Sequence, residues 1–460
     1  MAYTCKKLTG KAYALSTDSD VYLYDLASGQ TRNLTEGMPG YDKYPVFSPD
    51  DSMLAFTSME RAGNESDKSR LFVETLATGE KRYLTRNFDY NAGNVRWDGN
   101  GTLYFIAPVR GTYQVCRVDL ADDSVRVLTA GAHDVNAITL NGGELVGEVT
   151  SLSAPTELFR IDPADGTMTR ITNTNPEIYD HIRMGEVRER WIRTTDGRQM
   201  LTWVVLPPDF DSTERYPALL YCQGGPQSVV SQFWSYRWNL QLMAAQGYVV
   251  VAPNRRGVPS FGQQWLDQIS GDYSGQNIRD YLSAIDDVAA EPWVDGGRLG
   301  CVGASYGGYS VFFLAGHHQK RFKAFIAHCG MFNLESMYGA TEELWFPNND
   351  LGGPYWSDDT TAQRSYANSP HKFVKNWDTP ILIFSGQGDF RIPYTESLQA
   401  FTAARLMGVP SRLVSFEDEA HQIFKPQNSL VWNREFFGWL DKYLKHTETD
   451  SAQSPDSSKR

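Results

Sequence analysis

Arg298-Leu-Gly-Cys-Val-Gly-Ala-Ser-Tyr-Gly-Gly-Tyr-Ser310 decides how the chain is read. Residues 298–302 predict a short buried strand. Residues 307–318 predict a helix whose apolar face carries Val311, Phe312, Leu314 and Ala315. Between them, Gly303-Ala-Ser-Tyr-Gly307 is a G-x-S-x-G turn. A serine on so tight a strand-to-helix turn takes a strained backbone. Glycines two positions to either side let strand and helix approach closely. The turn lifts the Ser305 hydroxyl off the sheet, and the helix N-terminus behind it offers the Tyr306 N–H to an oxyanion.

Three fixed positions recur by chance in a chain with 39 glycines, so the pattern needs partners. Outward from the turn, residues 187–206 read as a hairpin closed at Asp196-Gly197. Strand and helix then alternate. Apolar strands fall at 218–221, 248–252, 299–302, 324–327, 381–384 and 412–416. Helical patterns fill 233–245, 275–290, 307–318, 394–407 and 427–444. This is the rhythm of a doubly wound, mostly parallel sheet, whose functional groups collect on loops beyond the C-terminal strand ends. On such a sheet an acid and then a histidine are expected after the serine. Strand 381–384 leads into a Gly-bearing loop with Asp389, which as a turn residue would instead cap the helix from Tyr394. Asp358 and Asp359 are rivals without a preceding strand. Strand 412–416 leads to His421, the one histidine between Asp389 and the tail. The acidic run Glu417–Glu419 beside it reads as a solvated loop that modestly raises its pKa. Ser305 as nucleophile, His421 as base and Asp389 as its orienting acid follow from this order. Gly224, after strand 218–221, is the second oxyanion donor. The sequence shows no metal-ligand cluster, and this chemistry needs no cofactor.

Residues 1–175 repeat. Four segments end in an aliphatic residue and a threonine, at Thr35, Thr85, Thr129 and Thr172, spaced by 50, 44 and 43 residues. With the strand pairs between them they predict four short strands per repeat, the pattern of a β-propeller. About three full blades lie in 44–172, and 11–35 supplies the second half of another. A ring this incomplete leaves open edges, so either another chain completes it or the sequence is an N-terminally truncated form of a longer parent, and truncation is the expectation. Residues 173–186 read as the boundary. The domains are then a partial propeller over 1–175, an α/β domain over 176–445 and a disordered tail over 446–460.

A net charge of −12 over 460 residues argues against nucleic-acid binding and supplies no polybasic membrane patch. No apolar run reaches membrane-spanning length, and Met1-Ala-Tyr-Thr-Cys-Lys-Lys7 lacks the core of a secretory signal. The compartment stays open: periplasmic or secreted if a longer parent carries a leader, otherwise cytoplasmic. Five scattered cysteines suggest neither a disulfide framework nor a metal site.

Propeller-like repeats followed by an α/β-hydrolase domain with this triad order resemble the prolyl oligopeptidase family of serine peptidases. The resemblance covers the chain except its tail. It rests on Gly303-Ala-Ser-Tyr-Gly-Gly-Tyr309, Gly224-Gly-Pro226, Asn254-Arg-Arg-Gly257, Ser270-Gly-Asp-Tyr-Ser274, Gly388-Asp-Phe-Arg-Ile-Pro393 and Glu419-Ala-His421. Cys329-Gly-Met-Phe-Asn333 and Lys425-Pro-Gln-Asn-Ser429 look closest to its dipeptidyl-peptidase V branch. Ser385 and Ala420 depart from the usual residues before acid and base. Gln223 implies oxyanion help from backbone rather than from a tyrosine hydroxyl. The resemblance implies short peptide substrates, cleavage of dipeptides from free N-termini, and a substrate pocket with Cys329, Phe332, Tyr338 and Arg391. Acylaminoacyl-peptidase or esterase activity, and an inactive fragment, are the alternatives. A homodimer is compatible with the sequence.

Overall fold

A computed structural model describes residues 1–445; the tail 446–460, expected to be disordered, lies outside the described residues. Residues 187–416 form one eight-stranded sheet. Its strands are β1 (Val187–Arg193), β2 (Gln199–Val205), β3 (Tyr216–Cys222), β4 (Val249–Pro253), β5 (Val294–Ala304), β6 (Phe322–His328), β7 (Ile381–Gly386) and β8 (Ser411–Phe416). Their order is β1-β2-β4-β3-β5-β6-β7-β8. β1 and β2 pair antiparallel, as do β2 and β4; every pairing from β4 onward is parallel. The parallel strands are almost continuously apolar because helices cover both faces. One face packs against α2 (Gln276–Ala289), α3 (Tyr306–Ala315) and α4 (Thr395–Leu406). The other packs against α1 (Leu240–Ala245) and α5 (Pro426–Leu444). The expected α/β-hydrolase sheet is present.

The helix expected over 233–245 is shorter. Asn239 accepts the Leu242 N–H at 2.8 Å and starts α1 there. Residues 223–238 instead run as a loop across the C-terminal strand ends. The β1–β2 connection also differs. Thr194 N–H bonds to Arg198 O at 2.8 Å, so Asp196-Gly197 closes a wider turn than a two-residue hairpin, with Gly197 at φ 84°. Asp196 then reaches Arg256, which is fully buried between Asp196 and Asp280.

The first 170 residues form small antiparallel sheets. Three have four strands, spanning 42–83, 93–127 and 134–170. The first has three rather than the expected pair, because Ala2–Cys5 adds an edge strand to Asp20–Tyr24. The repeated threonines all do one job. Thr35, Thr85, Thr129 and Thr172 each accept, through Oγ1, the backbone N–H of the residue 14 positions earlier, at 2.9–3.0 Å. A hydroxyl thus replaces a missing ladder partner where the outer strand ends.

Polar contacts fasten these sheets to the hydrolase region. Ser231 Oγ donates to buried Asp134 at 2.6 Å. Ser260 holds the 110–111 turn through its O and Oγ. The loop 59–69 is held by Gln227 and Gln263 on Ser66, by Asn349 on Asn64, and by Arg61 on Asp267. The matching connections in the next two sheets have only two residues, 110–111 and 152–153; this one is long because it reaches across to the hydrolase.

At the turn after β5 there is no room for side chains. A Cβ on Gly307 would lie 2.0 Å from Cys222 O, and one on Gly303 would lie 2.6 Å from Gly307 O. Gly307→Ala is expected to cost about 3 kcal/mol, read as a lower urea midpoint with an unchanged slope, whereas Gly438→Ala in α5, where nothing approaches within 4 Å, stays near wild type.

Candidate active site

Ser305 directly follows β5 with φ 60° and ψ −123°, a conformation that L-residues rarely adopt. Its N–H bonds to His328 O at 2.9 Å on the next strand, and its O accepts from Tyr309 in α3. The strain is held by backbone on both sides. Oγ projects into a cavity of about 800 Å³ at the strand ends.

Asp389 and His421 arrive on the loops after β7 and β8. The two loops touch: Gly388 N–H bonds to Glu419 O at 2.9 Å, and a Cβ on Gly386 would strike the Glu419 and Ala420 carbonyls. Asp389 Oδ2 lies 2.7 Å from His421 Nδ1, and His421 Nε2 lies 3.0 Å from Ser305 Oγ. Asp389 Oδ1 accepts the Arg391 and Ile392 N–H groups, both at 3.0 Å. The carboxylate therefore caps its turn with one oxygen and orients the imidazole with the other. Its rival Asp359 caps a different helix, accepting from Thr361 at 2.7 Å. Glu419 corrects the reading of the acidic run as solvated. It is buried and accepts the Phe424 and Lys425 N–H groups at the start of α5, which fixes the His421 loop.

Burial works to lower the His421 pKa. The charges and hydrogen bonds of Cys329 and Asp389 outweigh it and hold the imidazole above its ordinary value. The leading raising effects come from these two groups in contact with the ring rather than from the acidic run. Conversely, burial works against a Cys329 thiolate, and the neighbouring His421 and His328 outweigh it, so the thiol lies below its ordinary range.

The Tyr306 N–H, first in α3, and the Gly224 N–H have no acceptor among the described residues. Gly224 lies against the Ser305 turn, its ideal Cβ 3.5 Å from Ser305 Cβ. The Tyr306 side chain is buried, its hydroxyl donating to Tyr273 O at 3.2 Å. Gln223 turns its amide to Tyr221 and Ser228.

The expected pocket residues separate. Arg391 lines the cavity and pairs with Glu343 at 2.9 Å. Phe332, 3% exposed, packs in the core on Phe312 and Trp377. Tyr338, 6% exposed, bonds to Asn348 and packs on Trp356 and Tyr366. Neither lines the cavity, because the turn after β6 carries Phe332 down onto α3 and Tyr338 lies on the following short helix. Cys329 sits behind His421, its Sγ 3.4 Å from His421 O. The sequence reading missed the opposite wall: Tyr41 and Glu65 from the first region, and Glu343, Trp345 and Trp234. The length of loop 59–69 was the one available signal for Glu65.

Residues 234–447 match the model of the prolyl oligopeptidase family. The chain is 54% identical over 448 residues to dipeptidyl-peptidase 5 of Porphyromonas gingivalis, covering 97% of this chain and 65% of the relative. It is 51% identical over 449 residues to dipeptidyl-peptidase 5 of Porphyromonas endodontalis, with the same coverage. Over residues 234–447 the chain is thus similar to the prolyl oligopeptidase family. It spans about two thirds (65%) of the length of these curated relatives. Among solved structures of the same fold, Pyrococcus horikoshii acylaminoacyl peptidase superposes with a TM-score of 0.84 at 21% identity, over 99% of this chain and 70% of that one. Among the described residues no helix is long and apolar enough to cross a membrane.

Two measurements probe the site. Asp389→Asn, which keeps the shape but inverts the hydrogen-bond preference at Nδ1, is expected to lower kcat about 10⁴-fold while far-UV circular dichroism stays unchanged. A general base must be neutral, and a raised pKa keeps His421 protonated to higher pH. The acid limb of kcat/KM is therefore expected above the ordinary imidazole value of 6.5, and Cys329→Ala, by removing one anion, moves that limb to lower pH.

Proposed function

We propose that this chain is a serine peptidase that releases dipeptides from the N-terminus of short peptides. One observation carries the reading: a Ser–His–Asp hydrogen-bonded chain opens into a cavity whose far wall carries carboxylates. In the mechanism, Ser305 Oγ attacks the scissile carbonyl carbon as His421 Nε2 takes its proton. The Asp389 carboxylate stabilises the imidazolium. The Tyr306 and Gly224 N–H groups, free to donate, receive the oxyanion. His421 then protonates the leaving amine, and water repeats the sequence on the acyl-enzyme.

The wall opposite Ser305 bears on the choice of substrate. Glu343, which feels the charges of His421 and Asp389, is already paired with Arg391. Glu65 lies beyond it with Tyr41, Lys43 and Trp345 as neighbours, and no cation within ion-pair distance among the described residues. Burial raises its pKa, opposed first by Tyr41 and then by Lys43. A desolvated carboxylate at the end of a cavity favours an ammonium group, which a free peptide N-terminus supplies. The names of the relatives agree with this reading. We further propose that the small sheets are propeller blades, that the division into domains falls near residue 175, and that the blades limit access to short peptides.

Wild-type protein is expected to cleave dipeptidyl p-nitroanilides in preference to their N-acetyl forms and to short acyl esters. Glu65→Gln is expected to reduce that free-amine preference about tenfold or more, since an ion pair becomes a neutral hydrogen bond. Esters or N-acetyl substrates cleaved with all dipeptidyl amides refused would sink the dipeptidase reading in favour of an esterase or acylaminoacyl-peptidase. A folded protein whose Ser305 takes no fluorophosphonate would mark an inactive fragment.

A further inference from the structure

Cys329 follows β6 directly and is 1% exposed. Its φ of 41° lies in the left-handed region, and its N–H is tied to Phe384 O at 2.9 Å. This turn aims Sγ at His421, 3.9 Å from Nε2. One donor atom each from Cys329, Asp389 and His421 lies within 4.8 Å of the others. Sequence spacing links none of the three, so the expectation of no metal-ligand cluster is corrected by the fold.

Cys329 Sγ and His421 Nε2 converge on one side of the imidazole. Tetrahedral Zn²⁺, with bonds of about 2.3 Å to sulfur and 2.0 Å to nitrogen, separates two such donors by roughly 3.5 Å. A side-chain shift of a few tenths of an ångström from the 3.9 Å observed brings the pair to that spacing. Ser305 Oγ, 3.0 Å from Nε2, marks the side on which the cavity gives access to the remaining positions. On the other side of the ring, the Nδ1 bond to Asp389 is the carboxylate–histidine arrangement that stands behind metal-bound imidazoles. It fixes the tautomer, aims Nε2 and raises its basicity. The dyad that orients Nε2 for a proton orients it equally for a soft cation.

We propose that Cys329 and His421 form an inhibitory site for a thiophilic divalent cation, Zn²⁺ or Cd²⁺, which takes Nε2 away from Ser305 and reversibly switches the site off. On binding, the proton that the Cys329–His421 pair holds leaves to solvent, and the thiolate and the neutral imidazole coordinate through their lone pairs. No electrons are exchanged. Inhibition therefore strengthens with rising pH. Mg²⁺ and Ca²⁺, which prefer oxygen donors, do not compete. The loss of activity rests on His421 acting as the base for Ser305; the binding itself does not.

The test titrates the full chain with ZnCl₂, CdCl₂ and MgCl₂ in a non-chelating buffer. It follows both the rate of fluorophosphonate labelling at Ser305 and hydrolysis of a dipeptidyl amide. Labelling is expected to fall at micromolar Zn²⁺ or Cd²⁺ but not Mg²⁺, and a chelator should restore it. Cys329→Ala and Cys329→Ser are expected to raise the half-inhibiting concentration at least tenfold. An equal half-inhibiting concentration in variants and wild type, or no inhibition of wild type, overturns the proposal. Should both variants prove unfolded, alkylation of Cys329 in the wild type, followed by peptide mass mapping, decides. Zn²⁺ is expected to slow it at least tenfold, and an unchanged rate overturns the proposal. A protein that labels at Ser305 but cleaves no dipeptidyl amide contradicts the substrate reading alone, because the labelling readout survives.

Discussion

Backbone pressed against backbone at the Ser305 turn is the constraint on which the site depends. Gly307 leaves no space for a Cβ beside the Cys222 carbonyl, and Gly303 leaves none beside Gly307 itself. That closeness brings α3 under β3 and β5, exposes the Tyr306 N–H at the helix start, and holds Ser305 at φ 60°. A looser turn would relax Ser305 and move Oγ off the line to His421. The neighbouring loops are held by the same means. Gly386 accommodates the Glu419 and Ala420 carbonyls, so the acid loop and the base loop touch before their side chains meet. Ser305, Asp389 and His421 are thus brought together mainly by main-chain contacts.

Charge is arranged around this frame with different degrees of compensation. Arg256 is enclosed by Asp196 and Asp280. Asp350 is buried but receives Tyr273, Ser270 and Gln227. Glu343 has Arg391. Among the described residues Glu65 has no ion-pair partner, yet its loop is pinned by Ser66 and Asn64 to the hydrolase region. A carboxylate kept partly out of water without a counter-ion costs stability, and a cationic ligand would offset that cost. His421 shows the opposite economy. Cys329 and Asp389 strengthen its basicity against the effect of burial, as both the proposed base role and the proposed cation site require.

Much of the fold was legible because its signals are local. The G-x-S-x-G turn, the alternating strands and helices, and acid and histidine after successive strands lie within short windows. The recurring threonines marked the small sheets for the same reason, since each closes a hairpin over 14 residues. Errors came where local signals compete. The aromatic run 233–238 looked helical, yet it forms a loop along the cavity and the helix waits for the Asn239 cap. Phe332 and Tyr338 were expected at the pocket and serve the core, because an aromatic residue has the same sequence signature in either role.

By itself the sequence determined the doubly wound sheet, the order Ser305, Asp389, His421 and the repeated hairpins, since backbone geometry and periodicity dictate these over a few residues at a time. Only the tertiary structure decided which side chains share the cavity. Glu65 and Glu343 are 278 positions apart and face one space. Cys329 meets His421 across 92 positions through a turn that its own sequence does not announce. Such meetings depend on how loops from different sheets cross, and no spacing along the chain encodes that.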